Sequence, residues 1–281
     1  MVVGRQMDIT DQVLEVSDPL SMAVSERDKN VLELVRDALD RQQVMLAYQP
    51  IVQTERPDRP AFYEGLIRIM DRSGRIIPAR EFIDVVETDE IGRKIDCLAL
   101  KIGLEALQNE PSLRLAINMS ARSIGFKRWM QTLNSGLKHD PRIAERLILE
   151  ITERSAMVMP DIVQAFMTDL QNLGVAFALD DFGAGYTAFR YLKDFYFDIL
   201  KIDGQYTQGI HKNPDNQVLV RALISIAQHF DMFTVAEMVE CEHDAKFLTD
   251  AGIDCMQGYY FGMPTLRPYW VQDREQERKV G

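Results

Sequence analysis

The sequence predicts an α/β fold, a modified (β/α)8 barrel of TIM type with one antiparallel strand near the N-terminus. Eight short apolar or β-rich runs alternate with longer helical patterns along 281 residues, close to the roughly 250 that such a barrel needs. Several runs are almost continuously apolar, as strands buried under helices on both faces are. A doubly wound open sheet is the alternative. The lack of a dinucleotide-type Gly-x-Gly-x-x-Gly after any strand counts against it.

Residues 1–25 are polar and without sustained periodicity, and they read as a mobile leader before one domain spanning 26–281. Ser25 suits the N-cap of a first helix over 26–43, with Val31, Leu32, Leu34, Val35 and Leu39 as its apolar face. Strands are expected at 45–52, 61–69, 114–120, 146–152, 175–181, 198–203, 233–240 and 255–262. Helical patterns occupy 81–87, 92–108, 159–173, 216–230 and 241–251. No helix fits between the first two strands, so they should pair antiparallel.

The net charge of −11 argues against binding a DNA or RNA duplex, which needs a basic surface. No apolar run reaches the ~18 residues of a membrane span, and the N-terminus has no signal pattern. Cys97, Cys241 and Cys255 are odd in number and show no CxxC or His-paired spacing, so neither a disulfide framework nor a zinc site is expected. Reduced core thiols in a cytoplasmic protein are the expectation.

Charge interrupts the apolar runs at one kind of place. Glu64 lies on the second strand, with Leu66 and Arg68 on the same face at period two. Asn118 ends "RLAIN", Glu150 ends "LILE", Asp180 and Asp181 end "FALDD", Lys201 lies in "ILKID", Glu237 ends "TVAE" and Gln257 begins "QGYYFG". Any one of these would suit a cap, a turn or a snorkelling lysine. Several carboxylates in one barrel mouth are costly unless cations neutralise them. Oxygen ligands of this kind suit hard divalent cations. The histidines His139, His211, His229 and His243 fall away from these strand ends. A metal-assisted hydrolase follows from the layout.

The same residues resemble the EAL-domain phosphodiesterases, which hydrolyse bacterial cyclic di-GMP. "EGLIR", "AIN", "EITE", "DDFGAGY", "LKID", "AEMVE" and "QGYYF" occur in order, and similar segments run from "YQPIV" to "QGYYFGMP", about three quarters of the chain. The resemblance implies two divalent cations, Mg²⁺ or Mn²⁺, that activate a water for in-line attack on one phosphodiester, giving linear pGpG. It makes Glu64, Asn118, Glu150 and Asp180 ligands of a first ion, and Asp180, Asp181 and Glu237 ligands of a second. Lys201 would hold the attacking water, with Gln257 in support. Arg68, with Leu66 and Gln49, falls on the substrate side. Glu153 would fix the loop carrying Gly183 and Gly185, and Glu240 would stand outside the ligands.

A homodimer through the region after Asp181 is also implied, with Phe189, Tyr191 and Phe195 as interface candidates. The chain departs from the family pattern at Gly65, where Ala gives the family its name, at Met238, where Gly is common, and at Met263, where a basic residue often stands. None removes a proposed ligand. The alternative is a catalytically weak cyclic di-GMP receptor of the same fold.

Overall fold

The computed structural model describes residues 19–183, 192–193 and 195–271, with the side chains of 19–21 set aside. Nine strands form one sheet: β1 Val44–Gln53, β2 Arg56–Met70, β3 Ile76–Pro78, β4 Leu115–Asn118, β5 Leu147–Thr152, β6 Ala176–Phe182, β7 Ile199–Ile202, β8 Phe233–Ala236 and β9 Cys255–Gln257. The order β1-β9-β8-β7-β6-β5-β4-β2 closes on itself through β1–β2 pairing. Eight strands therefore make a barrel. In the barrel β1 alone runs against both of its neighbours, β2 and β9, and the other barrel neighbours are parallel. The expected antiparallel strand is in place. β3, absent from the sequence reading, pairs with the end of β2 that overruns the barrel.

The helices are α1 Pro19–Asp40, α2 Ile83–Val86, α3 Glu90–Asn109, α4 Lys127–His139, α5 Glu153–Ala156, α6 Pro160–Gln171, α7 Gly204–Thr207, α8 Pro214–His229 and α9 Glu242–Ala251. Local chemistry sets their starts. Asp89 caps α3 by accepting from the Ile91 N–H at 2.9 Å, and Asn213 caps α8 ahead of Pro214. The first helix needs correcting. It begins at Pro19, so residues 19–25 belong to it rather than to a leader, and Ser25 is interior, not a cap. Proline is well suited to a first helical turn, where its missing N–H has no partner to lose. It ends at Asp40, three residues before the expected boundary. Among the described residues no helix is long and apolar enough to cross a membrane.

Two late strands are shorter than expected. β8 stops at Ala236 because Met238 has φ 51°, outside the extended region. β9 stops at Gln257 because the next residue, Gly258, lies directly on the backbone of Val239. That approach is sealed by Val239 N–H donating to Gln257 O at 2.9 Å and Tyr260 N–H to Val239 O at 3.2 Å.

The core has two compartments. The larger lies between strands and helices, around Trp129, Phe177, Leu100 and Leu115. The smaller fills the barrel interior: Ile51, Phe62, Ala116, Ile148, Ala178, Ile199, Val235 and Cys255, one residue from each barrel strand. The three cysteines are unpaired. Cys97 and Cys255 are buried as expected of core thiols, but Cys241 is only half-buried. The Gly65 departure also has a packing cause. A Cβ there would meet the Ile117 δ-methyl at 2.9 Å and that of Leu46 at 3.2 Å.

Gly258→Ala should be the costliest small substitution at the rim, because the added methyl meets backbone that cannot turn aside. Urea unfolding should show a loss of about 3 kcal/mol, at the upper end for overpacking. A loss under 0.5 kcal/mol would show that the 237–241 segment is not held as described.

Candidate active site

Side chains along a strand alternate between faces, so the interior residue next above each apolar one lies two positions on. Two residues beyond Phe62, Ala116, Ile148, Ala178, Ile199, Val235 and Cys255 stand Glu64, Asn118, Glu150, Asp180, Lys201, Glu237 and Gln257. On the reversed β1 the step runs backwards, from Ile51 to Gln49. One apolar layer therefore carries one polar layer, at the C-terminal mouth of the parallel strands.

Lys201 occupies the middle of that layer, with its side chain 1% exposed. Its ammonium Nζ lies 2.8 Å from Glu237 Oε1, 2.9 Å from Asp180 Oδ1, 3.3 Å from Glu150 Oε2 and 3.6 Å from Glu64 Oε2. Glu64 is further held by Gln257 Nε2 donating to Oε2 at 2.6 Å and Asn118 Nδ2 donating to Oε1 at 2.8 Å. Gln49 accepts from Gln257 Nε2 at 3.2 Å and donates to the Gly262 carbonyl at 3.1 Å. It also lines the cavity above the layer.

Adjacent residues of a regular strand point to opposite faces, so Asp180 and Asp181 should diverge. A bulge prevents this. Between the pairs Leu179–Leu200 and Phe182–Ile202, β6 carries one residue more than β7, and Asp181 takes φ 54°. Asp tolerates that left-handed geometry better than most residues. Carboxylate oxygens of Asp180, Asp181 and Glu237 consequently lie within 4.8 Å of one another.

The charges are strongly coupled. Burial is the largest influence on Glu237 and pushes its carboxyl up to about 8, against the pull of Lys201. Burial and the neighbouring Asp180 charge push Asp181 up to about 6. Glu150 is raised well above the carboxylate range by complete burial, which the Lys201 charge offsets only in part. Glu64 is lowered, since Lys201, Gln257 and Asn118 together outweigh its burial. Burial would lower the Lys201 ammonium, but four carboxylates overcome it and raise it well above its ordinary value.

Two buried carboxylate oxygens of the layer, Glu150 Oε1 and Asp180 Oδ1, have no hydrogen bond, and the latter lies 2.9 Å from the Lys201 ammonium. Unsatisfied carboxylate oxygens around an acidic cluster are what a hard divalent cation would complete, so the donor set fits one.

Above the layer opens a cavity of ≈ 560 Å³ with Leu66, Arg68, Met238, Tyr259 and Glu240 on its walls. An adjoining hollow of ≈ 630 Å³ shares Asp96, Asn118, Thr152 and Asp181 with it. Glu240 is exposed, accepting from Gln208 Nε2 at 2.9 Å. Glu153 reaches the loop after Asp181 at 3.4 Å, from Gly183 N–H to Oε2. Two residues absent from the sequence reading hold that loop more firmly. Tyr206 Oη and Gln205 Nε2 both donate to the Gly183 carbonyl, at 2.7 and 3.1 Å. Gly183 has φ 96°, and a Cβ on it would strike the Tyr206 ring at 2.5 Å. Gly185, Phe189 and Tyr191 lie outside the described residues. Phe195 is 4% exposed and stacks on Phe197 at 5.6 Å, so it belongs to the core rather than to an open interface.

Fold and site together define an α/β barrel with an acidic, lysine-centred mouth. The chain belongs to the EAL domain family, whose profile matches residues 33–264. It is 31% identical over 238 residues to the cyclic di-GMP phosphodiesterase PdeF of Escherichia coli, covering 83% of this chain and 32% of that protein. Among solved structures it resembles the PaMucR phosphodiesterase in complex with c-di-GMP, with 28% identity, TM-score 0.73 and coverage of 84% of this chain and 97% of that one. The EAL enzyme Bd1971, solved with cAMP and cyclic di-GMP, gives 25% identity, TM-score 0.78 and coverage of 89% and 69%. The chain spans about a third of the length of the first curated relatives it matches.

The raised carboxyl groups fix a pH dependence. In the folded metal-free protein Glu237 holds its proton up to about pH 8, whereas the unfolded chain releases it near 4. The native state therefore binds more protons across that interval, and stability must fall as pH rises through it. Chelator-treated protein should show a denaturation midpoint that drops from pH 5 to pH 8, and a saturating divalent cation should remove most of the drop. A midpoint that rises over this range would contradict the charge distribution described.

Proposed function

We propose that this domain is a metal-dependent phosphodiesterase that hydrolyses cyclic di-GMP to linear pGpG. The observation that carries this is a charge imbalance. Five carboxylates (Glu64, Glu150, Asp180, Asp181 and Glu237) gather with one ammonium, Lys201, leaving four formal negative charges that two divalent cations would neutralise. The relatives named as cyclic di-GMP phosphodiesterases and the neighbour solved with c-di-GMP supply the substrate class.

Glu64, Asn118, Glu150 and Asp180 would hold one cation, and Asp180, Asp181 and Glu237 the other, with Asp180 common to both. When bound, two Mg²⁺ or Mn²⁺ ions offset phosphate charge and make water more acidic for in-line displacement. Lys201 orients the attacking water and stabilises the charge that develops on the phosphoryl oxygens. Gln257 and Gln49 keep Glu64 in place through the amide chain described above. Arg68, half-buried on the cavity wall, meets the substrate's phosphate and ribose, with Leu66 beside it. Glu153 restrains the loop from Gly183, and Glu240 steadies the rim. The cavity lies within the range of small-molecule sites, about 300–1,000 Å³. A cytoplasmic setting and a homodimer through the region after Asp181 complete the reading.

Turnover of cyclic di-GMP should require Mg²⁺ or Mn²⁺ and stop with EDTA. Asp180→Asn and Lys201→Ala should each lower kcat by about 10²–10³-fold or more, as loss of a principal charge-stabilising group does. Circular dichroism with divalent cation present should show an unchanged fold. Wild-type protein that binds the nucleotide without cleaving it would select a receptor. Near-normal turnover by either variant would overturn the assignment of these residues.

A further inference from the structure

A second cluster of ligating side chains lies outside the acidic mouth and takes no part in the proposed reaction. Cys241 stands immediately before α9, Asp244 lies in the first turn of that helix, and His211 comes from the segment after α7. The Asp244 carboxylate is buried, at 2% exposed. Its Oδ1 contacts His211 Nδ1 at 2.6 Å and accepts the His211 backbone N–H at 3.1 Å. Its Oδ2 accepts the Cys241 thiol at 3.2 Å and the Gly209 N–H at 3.0 Å. One ligand atom each from His211, Cys241 and Asp244 falls within 4.8 Å of the others. A second imidazole is adjacent, with the exposed His243 ring centred 5.3 Å from that of His211 and tilted by 30°.

We propose that His211, Cys241 and Asp244 form a site for a borderline-soft divalent cation of the Zn²⁺ class, with His243 or water as a fourth ligand. The donor set separates this site from the acidic mouth. One thiolate, one or two imidazoles and one carboxylate are ligands of Zn²⁺ or Co²⁺, while an all-oxygen cluster favours harder ions. Ligand bonds of about 2.0–2.3 Å place tetrahedral ligand atoms roughly 3.3–3.7 Å apart. Cys241 Sγ lies 3.2 Å from Asp244 Oδ2, close to this, and His211 Nδ1 lies 2.6 Å from the other oxygen, Oδ1, a contact that needs to open by less than an ångström.

Protons balance simply. The Cys241 thiol proton goes to solvent as the thiolate binds. If His211 Nδ1 carries the ring proton, that proton passes to Nε2 of the same neutral imidazole. Neither half-buried ligand requires the core to open, since His211 and Cys241 both retain access to solvent.

The site would act as a clip. The segment that follows β7, the strand of Lys201, and the segment that begins at Glu237 after β8 already touch through Thr207 Oγ1 donating to the Glu237 carbonyl and Gln208 donating to Glu240. A cation at His211, Cys241 and Asp244 joins the far ends of the same two segments. The sequence hides the site because His211 lies 30 residues from Cys241, so no metal-binding spacing appears in a single stretch. The proposal does not depend on the phosphodiesterase reading.

The test uses the full chain, stripped with chelator and kept in saturating Mg²⁺ to fill the acidic mouth. Titration with Co²⁺ should give a thiolate-to-cobalt charge-transfer band that saturates near one equivalent. Cys241→Ser should abolish the band, His211→Ala should weaken binding at least tenfold, and Asp180→Asn should leave the band unchanged. Cys97 and Cys255 are poor competitors, because burial pushes both thiols up to about 11. A second measurement needs no variant: one equivalent of Zn²⁺ should slow iodoacetamide labelling of Cys241 at least tenfold, as read by peptide mass. Absence of the band, its survival in Cys241→Ser, or unchanged labelling would each overturn the site.

Discussion

The barrel mouth is organised by one buried ammonium that contacts four carboxylates. Among the described residues, Lys201 is the cation in every ion pair made by Glu64, Glu150, Asp180 and Glu237. Removing a charge from water costs several kcal/mol, and that cost is recovered only with good geometry and further hydrogen bonds. For Glu64 the requirement is met by two amides. For Glu150 and Asp180 it is not, since each keeps a buried oxygen without a hydrogen bond. The lysine thus assembles the acids without satisfying them. This is a stable way to store ligand capacity, because the unsatisfied atoms are fixed by strands rather than by loops.

The rest of the rim follows from keeping those acids on one face. Regular strands place one interior residue per two positions, which supplies Glu64, Asn118, Glu150 and Lys201 without distortion. A second acid from β6 needs the bulge and the left-handed Asp181. The same irregularity sends the chain into Gly183, whose carbonyl Tyr206 and Gln205 hold. Asp181 and Gly183 are therefore parts of one backbone feature. Met238 is the second left-handed residue at the rim. A non-glycine residue there costs about 1–3 kcal/mol. Here the side chain packs over Gly204, where no Cβ could fit.

Much of this was legible in the sequence because short, nearly continuous apolar runs mark the barrel strands and a polar residue marks each mouth position. Glu64, Glu150, Asp180, Lys201 and Glu237 could be placed together from those signals alone, and the antiparallel start followed from too short a connection. Other features had weaker signals. α4 carries Trp129, Leu133 and Leu137 at four-residue spacing, a pattern readable in principle but interrupted by polar residues and Gly136. The first turn of α1 holds no acidic residue to mark its start, so Ser25 drew the boundary inward. Tyr206 and Gln205 act through a short helix after the strand, and strand-end patterning does not reach them. Asp96 was hidden for a similar reason. It sits on α3, yet it accepts from Ser120 N–H and Ser123 Oγ and faces the cavity, with burial pushing its carboxyl up to about 6.

The division between layers also explains how an acidic mouth coexists with a firm fold. Eight apolar side chains beneath it exclude water from the barrel centre, while the glycines that admit close backbone contact stand at or above the polar layer. The apolar layer thus fixes the acids from below. The ligand oxygens inherit their positions from the lower layer. An arrangement reversed in depth would place the unsatisfied carboxylates on moving segments. Protonation, not a cation, would then be the cheaper way to quiet them.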